Sequence, residues 1–111
     1  MTRLGSDEIS WFAWREVQEA LAYSRTGRIA LHFFLYDLRR FGLARQDPCC
    51  HVLSSDRERL TAFVAQFGMP AFLLQAPKPH RPDVWHFDAF GEVLRRIEEA
   101  YPPPDRVKDR N

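Results

Sequence analysis

The residues of this chain that could do chemistry are histidines and acids placed near strand-like segments. His86 and Asp88 stand two residues apart in a His-Phe-Asp triplet, just before an amphipathic helical pattern. If the triplet is extended, alternate side chains point to the same face, so the imidazole and the carboxylate lie side by side. This arrangement predicts an acid–base pair, because a histidine titrates near neutral pH and a carboxylate can orient it.

Two upstream residues are candidates to join this pair. Asp37 directly follows an apolar run over residues 29–36, and His51 lies in the next extended segment, about 49–53. Ends of neighbouring strands meet at one edge of a sheet, where α/β proteins often bind ligands. The predicted catalytic residues are therefore Asp37, His51, His86 and Asp88.

Basic residues beside these positions indicate an anionic substrate. Arg39 and Arg40 follow Asp37, and guanidinium groups bind phosphate well. His80 lies in a proline-rich loop that could close over a site. We therefore predict hydrolysis or transfer on a phosphorylated or nucleotide-type substrate, bound through Arg39, Arg40 and His80. The chain contains no Walker loop, His-Glu-x-x-His or Gly-x-Ser-x-Gly motif, so no named enzyme class follows.

Two other interpretations of these residues stay open. Mixed histidine and aspartate ligands also suit a divalent metal such as zinc or manganese, which makes His51, His86 and Asp88 candidate metal ligands. Alternatively, Asp88 serves only as the N-cap of the following helix, and Asp37 is an ordinary turn residue. His86 then makes only a local hydrogen bond.

The elements that must position these residues follow from hydrophobic periodicity. A helix is predicted over residues 5–26, and the later helices begin near residues 56 and 89. The predicted strands are 29–36, 49–53, 71–75 and 84–87. The order α-β-β-α-β-β-α predicts one compact α/β or α+β layer domain, with a small sheet of about four strands flanked by three helices.

The predicted domain covers residues 1–104, with the N-terminal helix 5–26 added to a core of residues 29–101. Residues 105–111 are predicted to form a charged, flexible tail. Trp11 falls on the polar side of the predicted N-terminal helix and Trp14 flanks its apolar face. An exposed tryptophan on a helix indicates a partner surface, so the alternative function is a protein-interaction or homodimerisation module that uses Trp11 and Trp14.

The composition limits the other classes of function that this chain could have. Hydrophobic residues form 45% of the 111 residues, which is enough for a core, and the net charge of +1 does not favour nucleic acid or a membrane surface. A nucleic-acid accessory role through Arg39, Arg40, Arg45 and Arg81 is the weaker third alternative. Cys49 and Cys50 are adjacent and make no disulfide framework, which predicts a reducing cytoplasm. No apolar run is long enough to span a bilayer.

A family resemblance rests on the order of several short motifs. They are Tyr36-Asp37-Leu38-Arg39, Cys50-His51, Asp56 with Leu60 and Phe63, Phe67-Gly68, Phe72-Leu73-Leu74-Gln75, and His86-Phe87-Asp88. In this order they resemble an uncharacterised bacterial and phage family, the domain-of-unknown-function 4031 family, over residues 31–100. The resemblance implies a compact α/β fold and a cluster of Asp37, His51, His86 and Asp88. It implies no activity, and the N-terminal helix predicted here departs from the family pattern.

Overall fold

The computed structural model of this protein describes residues 8–37 and 46–108, without the side chains of residues 36, 37, 46 and 47. The strands are β1 (Ile9–Phe12), β2 (Ile29–Asp37), β3 (Gln46–Ser54) and β4 (Trp85–Phe90). The helices are α1 (Val17–Ser24), α2 (Arg57–Ala65), α3 (Gly91–Ala100) and the single turn α4 (Asp105–Lys108), with a 3₁₀ turn at Ala71–Leu73.

Within the described ranges, the strands form one mixed sheet in the order β1-β2-β3-β4. Strands β1 and β2 are parallel and are joined through α1, whereas β2, β3 and β4 are successively antiparallel. This architecture confirms the predicted fold class, a small α+β layer domain. No helix in these ranges is both long and apolar enough to cross a bilayer.

The two faces of the sheet are covered unequally. Helices α2 and α3 bury one face, where Leu60, Phe63 and Ile97 pack in the main core with strand residues such as Leu31 and Phe87. On the opposite face, α1 contributes a smaller cluster through Ala20 and Leu21, against Ala30 and Leu53. The single helix on that face leaves part of the sheet surface available for polar side chains.

The predicted helix over residues 5–26 is wrong at its start. Residues Ile9–Phe12 form a strand that pairs in parallel with β2, and only Val17–Ser24 are helical. Trp11 is 6% exposed and its indole Nε1 donates a 2.7 Å hydrogen bond to the Tyr101 carbonyl oxygen. Trp11 is therefore a core residue and offers no surface to a partner.

The predicted strand over residues 71–75 is also wrong. Ala71–Leu73 form a 3₁₀ turn after Pro70, and Gln75 alone pairs with His86 of β4. Prolines lack the N–H that a strand ladder needs, and they flank this segment at positions 70 and 77.

The C-terminal residues depart from the predicted tail as well. Residues Asp105–Lys108 form α4, and Val107 is fully buried in the main core. Val107 anchors this turn in the core, and ion pairs of Arg106 with Glu16 and of Lys108 with Glu98 hold it as well. Residues 109–111 lie outside the described ranges.

Candidate functional site

Strand register places three polar residues in one row across the sheet. His32 of β2 is opposite His51 of β3, and His51 is opposite Asp88 of β4. Directly opposed residues of neighbouring strands share a face, and His86 joins the same face because it precedes Asp88 by two residues. This is the face that α1 covers only in part, and we call His32, His51, His86 and Asp88 the histidine–aspartate cluster.

The Asp88 carboxylate is the centre of the cluster. Its Oδ1 lies 3.5 Å from Nε2 of His51 and 3.5 Å from Nε2 of His86. Its other oxygen, Oδ2, accepts a 2.8 Å hydrogen bond from the side-chain amide of Gln75. Oδ1 is buried and has no hydrogen-bond partner among the described residues. One oxygen is therefore held by Gln75, and the other is enclosed between the two imidazole rings.

His32 connects the cluster to the loop between β1 and α1. Its Nδ1 lies 3.3 Å from Nδ1 of His51, and its Nε2 lies 2.9 Å from the carbonyl oxygen of Trp14. The same loop is held by Glu16, whose carboxylate accepts hydrogen bonds from the Ala13 amide and from Arg106. His32 thus has a fixed position between this loop and His51.

Among the described residues, Arg81 is the cation that contacts the cluster. Its Nη2 lies 3.2 Å from Nε2 of His86, and the backbone pairing of Arg81 with Lys78 shapes the loop that carries both residues. Burial lowers the pKa of Arg81, and Asp88 opposes that shift. The positive charges of Arg81 and Lys78 both act on His86, so the side of the site formed by this loop is electropositive.

Both central histidines are neutral at neutral pH. Burial is the main cause that lowers the pKa of His51 to about 3 and that of His86 to about 4, although the charge of Asp88 acts in the opposite direction on both. Burial also lowers the pKa of His32. A neutral imidazole keeps one nitrogen lone pair, so these rings can accept a proton or a hydrogen bond.

Aromatic side chains flank the open end of the cluster. Phe34 stacks on His51 with ring centroids 3.8 Å apart. Phe90, two residues beyond Asp88 on the same strand, is 65% exposed. The side chains of His51 and Asp88 are 27% and 35% exposed, whereas His86 is buried. The site therefore opens to solvent at His51 and Asp88.

The structure removes the explanation of Asp88 as a helix cap. Asp88 lies inside β4, and α3 begins at Gly91 with Phe90 at the N-cap and no side-chain capping bond. The predicted helix start was early, because the strand continues to pair with β3 as far as Phe90 opposite Cys49. The carboxylate therefore has no role in helix capping.

Of the other predicted site residues, some are placed elsewhere in the fold and some lie outside the described residues. The backbone of Asp37 lies five residues beyond His32 on β2, which is about 17 Å at the rise of a strand. Its side chain, and the whole of Arg39 and Arg40, lie outside the described residues, so their predicted roles stay predictions. His80 is exposed in the loop after Gln75, and Trp14 is 39% exposed beside α1.

Metal and thiol chemistry find no support in the described residues. No group of three or more His, Cys, Asp or Glu side chains in those ranges is arranged to hold a metal ion. The guanidinium of Arg81 contacts the His86 nitrogen that faces Asp88, and this cation would repel a metal ion. Burial raises the pKa of Cys49 to about 12 and that of Cys50 well above its usual value, so both thiols are inert.

Sequence reasoning missed three members of this neighbourhood. Sequence analysis assigns Arg81 only to the nucleic-acid alternative and Gln75 only to a family motif, and it assigns no role to His32. Their roles depend on pairing between strands, since His32 faces His51 and Gln75 pairs with His86.

No family model, curated protein or solved structure significantly matches this chain. The resemblance to the domain-of-unknown-function 4031 family therefore stays a prediction.

Proposed function

We propose that this protein is a small hydrolase- or transferase-like enzyme of the cytoplasm that acts on a phosphorylated or nucleotide-type substrate. The observation that carries the proposal is the convergence of His51 Nε2 and His86 Nε2 on one oxygen of Asp88, each at 3.5 Å. Two imidazoles and a carboxylate at a partly open site provide proton acceptors and a charge that stabilises an imidazolium.

In this proposal His51 is the general base. It is the more exposed histidine of the pair, and its neutral ring can accept a proton from water or a substrate hydroxyl. A pKa of about 3 makes a weak base in the free protein. A bound phosphate would raise this pKa, because a nearby negative charge favours the imidazolium. Substrate binding would therefore activate the base.

The electropositive loop supplies the anion contact. Arg81 and Lys78 lie on the His86 side of the site, and their charges act on His86. Arginine binds phosphate with two parallel hydrogen bonds and lysine binds it as a point charge. Phe90 is exposed two residues beyond Asp88 on β4, and an exposed aromatic ring is a stacking surface for a base, which favours a nucleotide over a simple phosphate ester.

The test is an NMR titration with three probes: inorganic phosphate, adenosine and adenosine monophosphate. We expect adenosine monophosphate to bind most tightly, and Arg81→Gln to weaken its binding by about ten- to a hundredfold, the value of a hydrogen bond to a charged group. In the unmodified protein, bound phosphate should raise the pKa of His51. The His51→Ala variant should still bind phosphate, because Arg81 and Lys78 make the anion contacts. Arg95→Gln, an exposed arginine paired with Glu92 and Glu99 on α3, is the matched control. Equal binding by all these variants contradicts the proposal.

A second candidate is protein–protein contact, favoured by exposed apolar side chains rather than by Trp11. Phe72 is 84% exposed and Leu73 is 46% exposed in the 3₁₀ turn. Exposed apolar groups of this kind occur at partner or dimer contacts. Sedimentation velocity over a wide concentration range tests this candidate, because a homodimer should dissociate in a Phe72→Ser variant. A monomer at the highest concentration excludes the homodimer.

A further inference from the structure

Arg81 is a partly exposed cation that no carboxylate of the described residues contacts directly. Its one side-chain hydrogen bond within those residues joins Nη2 to Nε2 of His86, 3.2 Å apart. The Nε atom of Arg81 is enclosed, whereas Nη1 is neither enclosed nor bonded to a described residue. The guanidinium therefore has an open terminal nitrogen and keeps its positive charge.

The contact with Arg81 determines where the proton of His86 lies. A guanidinium has only donors, so Nε2 of His86 accepts and the neutral ring carries its proton on Nδ1. That Nδ1 is buried and has no partner among the described residues, which is a cost to the fold. The opposite tautomer would place an N–H of His86 against an N–H of Arg81. Accepting from the guanidinium thus outweighs leaving one buried N–H unpaired.

The backbone fixes the two residues relative to one another. Gln75 and His86 exchange two backbone hydrogen bonds, of 2.9 and 3.1 Å, which close the loop between them. Within this loop the Arg81 amide donates a 2.9 Å hydrogen bond to the Lys78 carbonyl oxygen. Three of the loop residues 76–83 are prolines, which restrict the backbone further. The Arg81 side chain therefore returns to a ring at the base of its own closed loop.

A neutral partner holds an arginine differently from a carboxylate. A carboxylate would orient the guanidinium and also neutralise it, whereas an imidazole orients it and leaves the charge available to an anion. The side chain of His86 is 3% exposed, so His86 cannot itself reach a ligand. Its effect on an anion would act through Arg81.

We propose that His86 is a positioning residue for Arg81, whose buried ring accepts from Nη2 and orients the open Nη1 toward an oxyanion group of the ligand, such as a phosphate. The proposal rests on the anion contact of the proposed function. It leaves His51 as the general base and gives His86 no proton to transfer to the substrate.

The first measurement is ¹H–¹⁵N NMR of the histidine and arginine side chains in the intact protein at neutral pH. We expect His86 to show a protonated Nδ1 and an unprotonated Nε2, and Arg81 to show separate Nη resonances, because a hydrogen bond slows rotation of the guanidinium. His86→Leu removes the acceptor and should merge these resonances. His86→Gln places an amide oxygen near the position of Nε2 and should keep them separate. A protonated Nε2 in the unmodified protein overturns the proposal, even if neither variant folds.

The second measurement is the affinity for sulfate, an oxyanion whose charge does not change near neutral pH. We expect His86→Leu to weaken sulfate binding by about tenfold and His86→Gln by less than about threefold. If His86 acts through Arg81, the His86→Leu effect should fall below about twofold when Arg81→Gln is already present. Equal losses with and without Arg81→Gln overturn the proposal.

The remaining outcomes separate this role from the proposed function. A folded His86→Leu variant that binds sulfate as tightly as the unmodified protein overturns the role of His86 and leaves the anion contact intact. If the unmodified protein does not bind sulfate, the anion contact fails and the proposed orientation toward an oxyanion fails with it. The Arg81 resonances then show whether His86 still holds the guanidinium.

Discussion

At the scale of single residues, the cluster is organised by atoms that have only one role open to them. The Trp14 carbonyl accepts, Arg81 donates, and the rings of His32, His51 and His86 adapt their protons to these neighbours. Burial keeps the rings neutral, and Asp88 is the carboxylate that His51 and His86 share. The chemistry of the site therefore depends on proton placement as much as on distance.

The histidines should make stability depend on pH. The pKa values of His51 and His86 in the folded protein, about 3 and about 4, lie below the unfolded value near 6.5. Between these values the unfolded chain binds more protons, so the free energy of unfolding falls as the pH decreases. From about pH 7 to about pH 5, we expect urea unfolding to show a loss of about 2 kcal/mol for each histidine, on the order of 4 kcal/mol for the two. His86→Gln should reduce this loss, and His80→Gln, at an exposed position, should not. A pH-independent free energy of unfolding in this window contradicts the neutral assignment.

Replacing Asp88 tests through stability how the carboxylate holds the cluster. In Asp88→Asn the amide oxygen can still accept from Gln75 while the amide nitrogen donates to His51 Nε2, so we expect the free energy of unfolding to change by less than about 0.5 kcal/mol. Asp88→Ala leaves the Gln75 amide without its acceptor and should lower it by about 1–2 kcal/mol. Urea unfolding of both variants provides the comparison. A similar large loss in both would show that the negative charge, rather than hydrogen bonding, holds the cluster.

At the scale of elements, local sequence patterns located most helices and strands correctly. They failed where pairing between strands determines the secondary structure. The apolar run over residues 29–36 forms most of β2, and Gly68, at φ +90°, lies just beyond the end of α2. The segment Ile9–Phe12 has helical periodicity but becomes a strand, because its backbone pairs with β2 and its Trp11 ring enters the core. Tertiary pairing overrides a weak local preference.

The two tryptophans near the start of the chain should therefore differ strongly. Trp11→Ala removes a buried ring and its hydrogen bond to Tyr101, and we expect it to lower the free energy of unfolding by about 3–5 kcal/mol. Trp14→Ala keeps the backbone carbonyl that contacts His32, and its ring is 39% exposed, so the loss should be below about 1 kcal/mol. Chemical denaturation of both variants is the measurement. Equal losses would place Trp11 outside the core.

At the scale of the whole molecule, the C-terminal turn ties distant parts of the chain together. Val107 of α4 lies in the main core, Arg106 pairs with Glu16 before α1, and Lys108 pairs with Glu98 of α3. Glu16 holds the loop whose Trp14 carbonyl contacts His32. The C-terminal turn therefore supports the side of the sheet that carries the cluster.

Burial at Val107 should matter more than the ion pairs around it. Val107→Ala removes two buried carbon atoms and leaves a cavity, which should lower the free energy of unfolding by about 2 kcal/mol. Arg106→Ala removes an exposed pair and should cost less than about 1 kcal/mol. Thermal and urea unfolding distinguish the two. If Val107→Ala is neutral, α4 does not belong to the folded core.

The sequence by itself determined the class of fold and one pair of the site. Strand periodicity of two places His86 and Asp88 on one face wherever the strand lies, and the structure shows both beside one oxygen. Only the tertiary structure decided which residues join them. Strand register is a non-local property, since it depends on pairing between segments far apart in the chain. That register aligned His32 and His51 with Asp88. It left the backbone of Asp37 about 17 Å from His32 along β2.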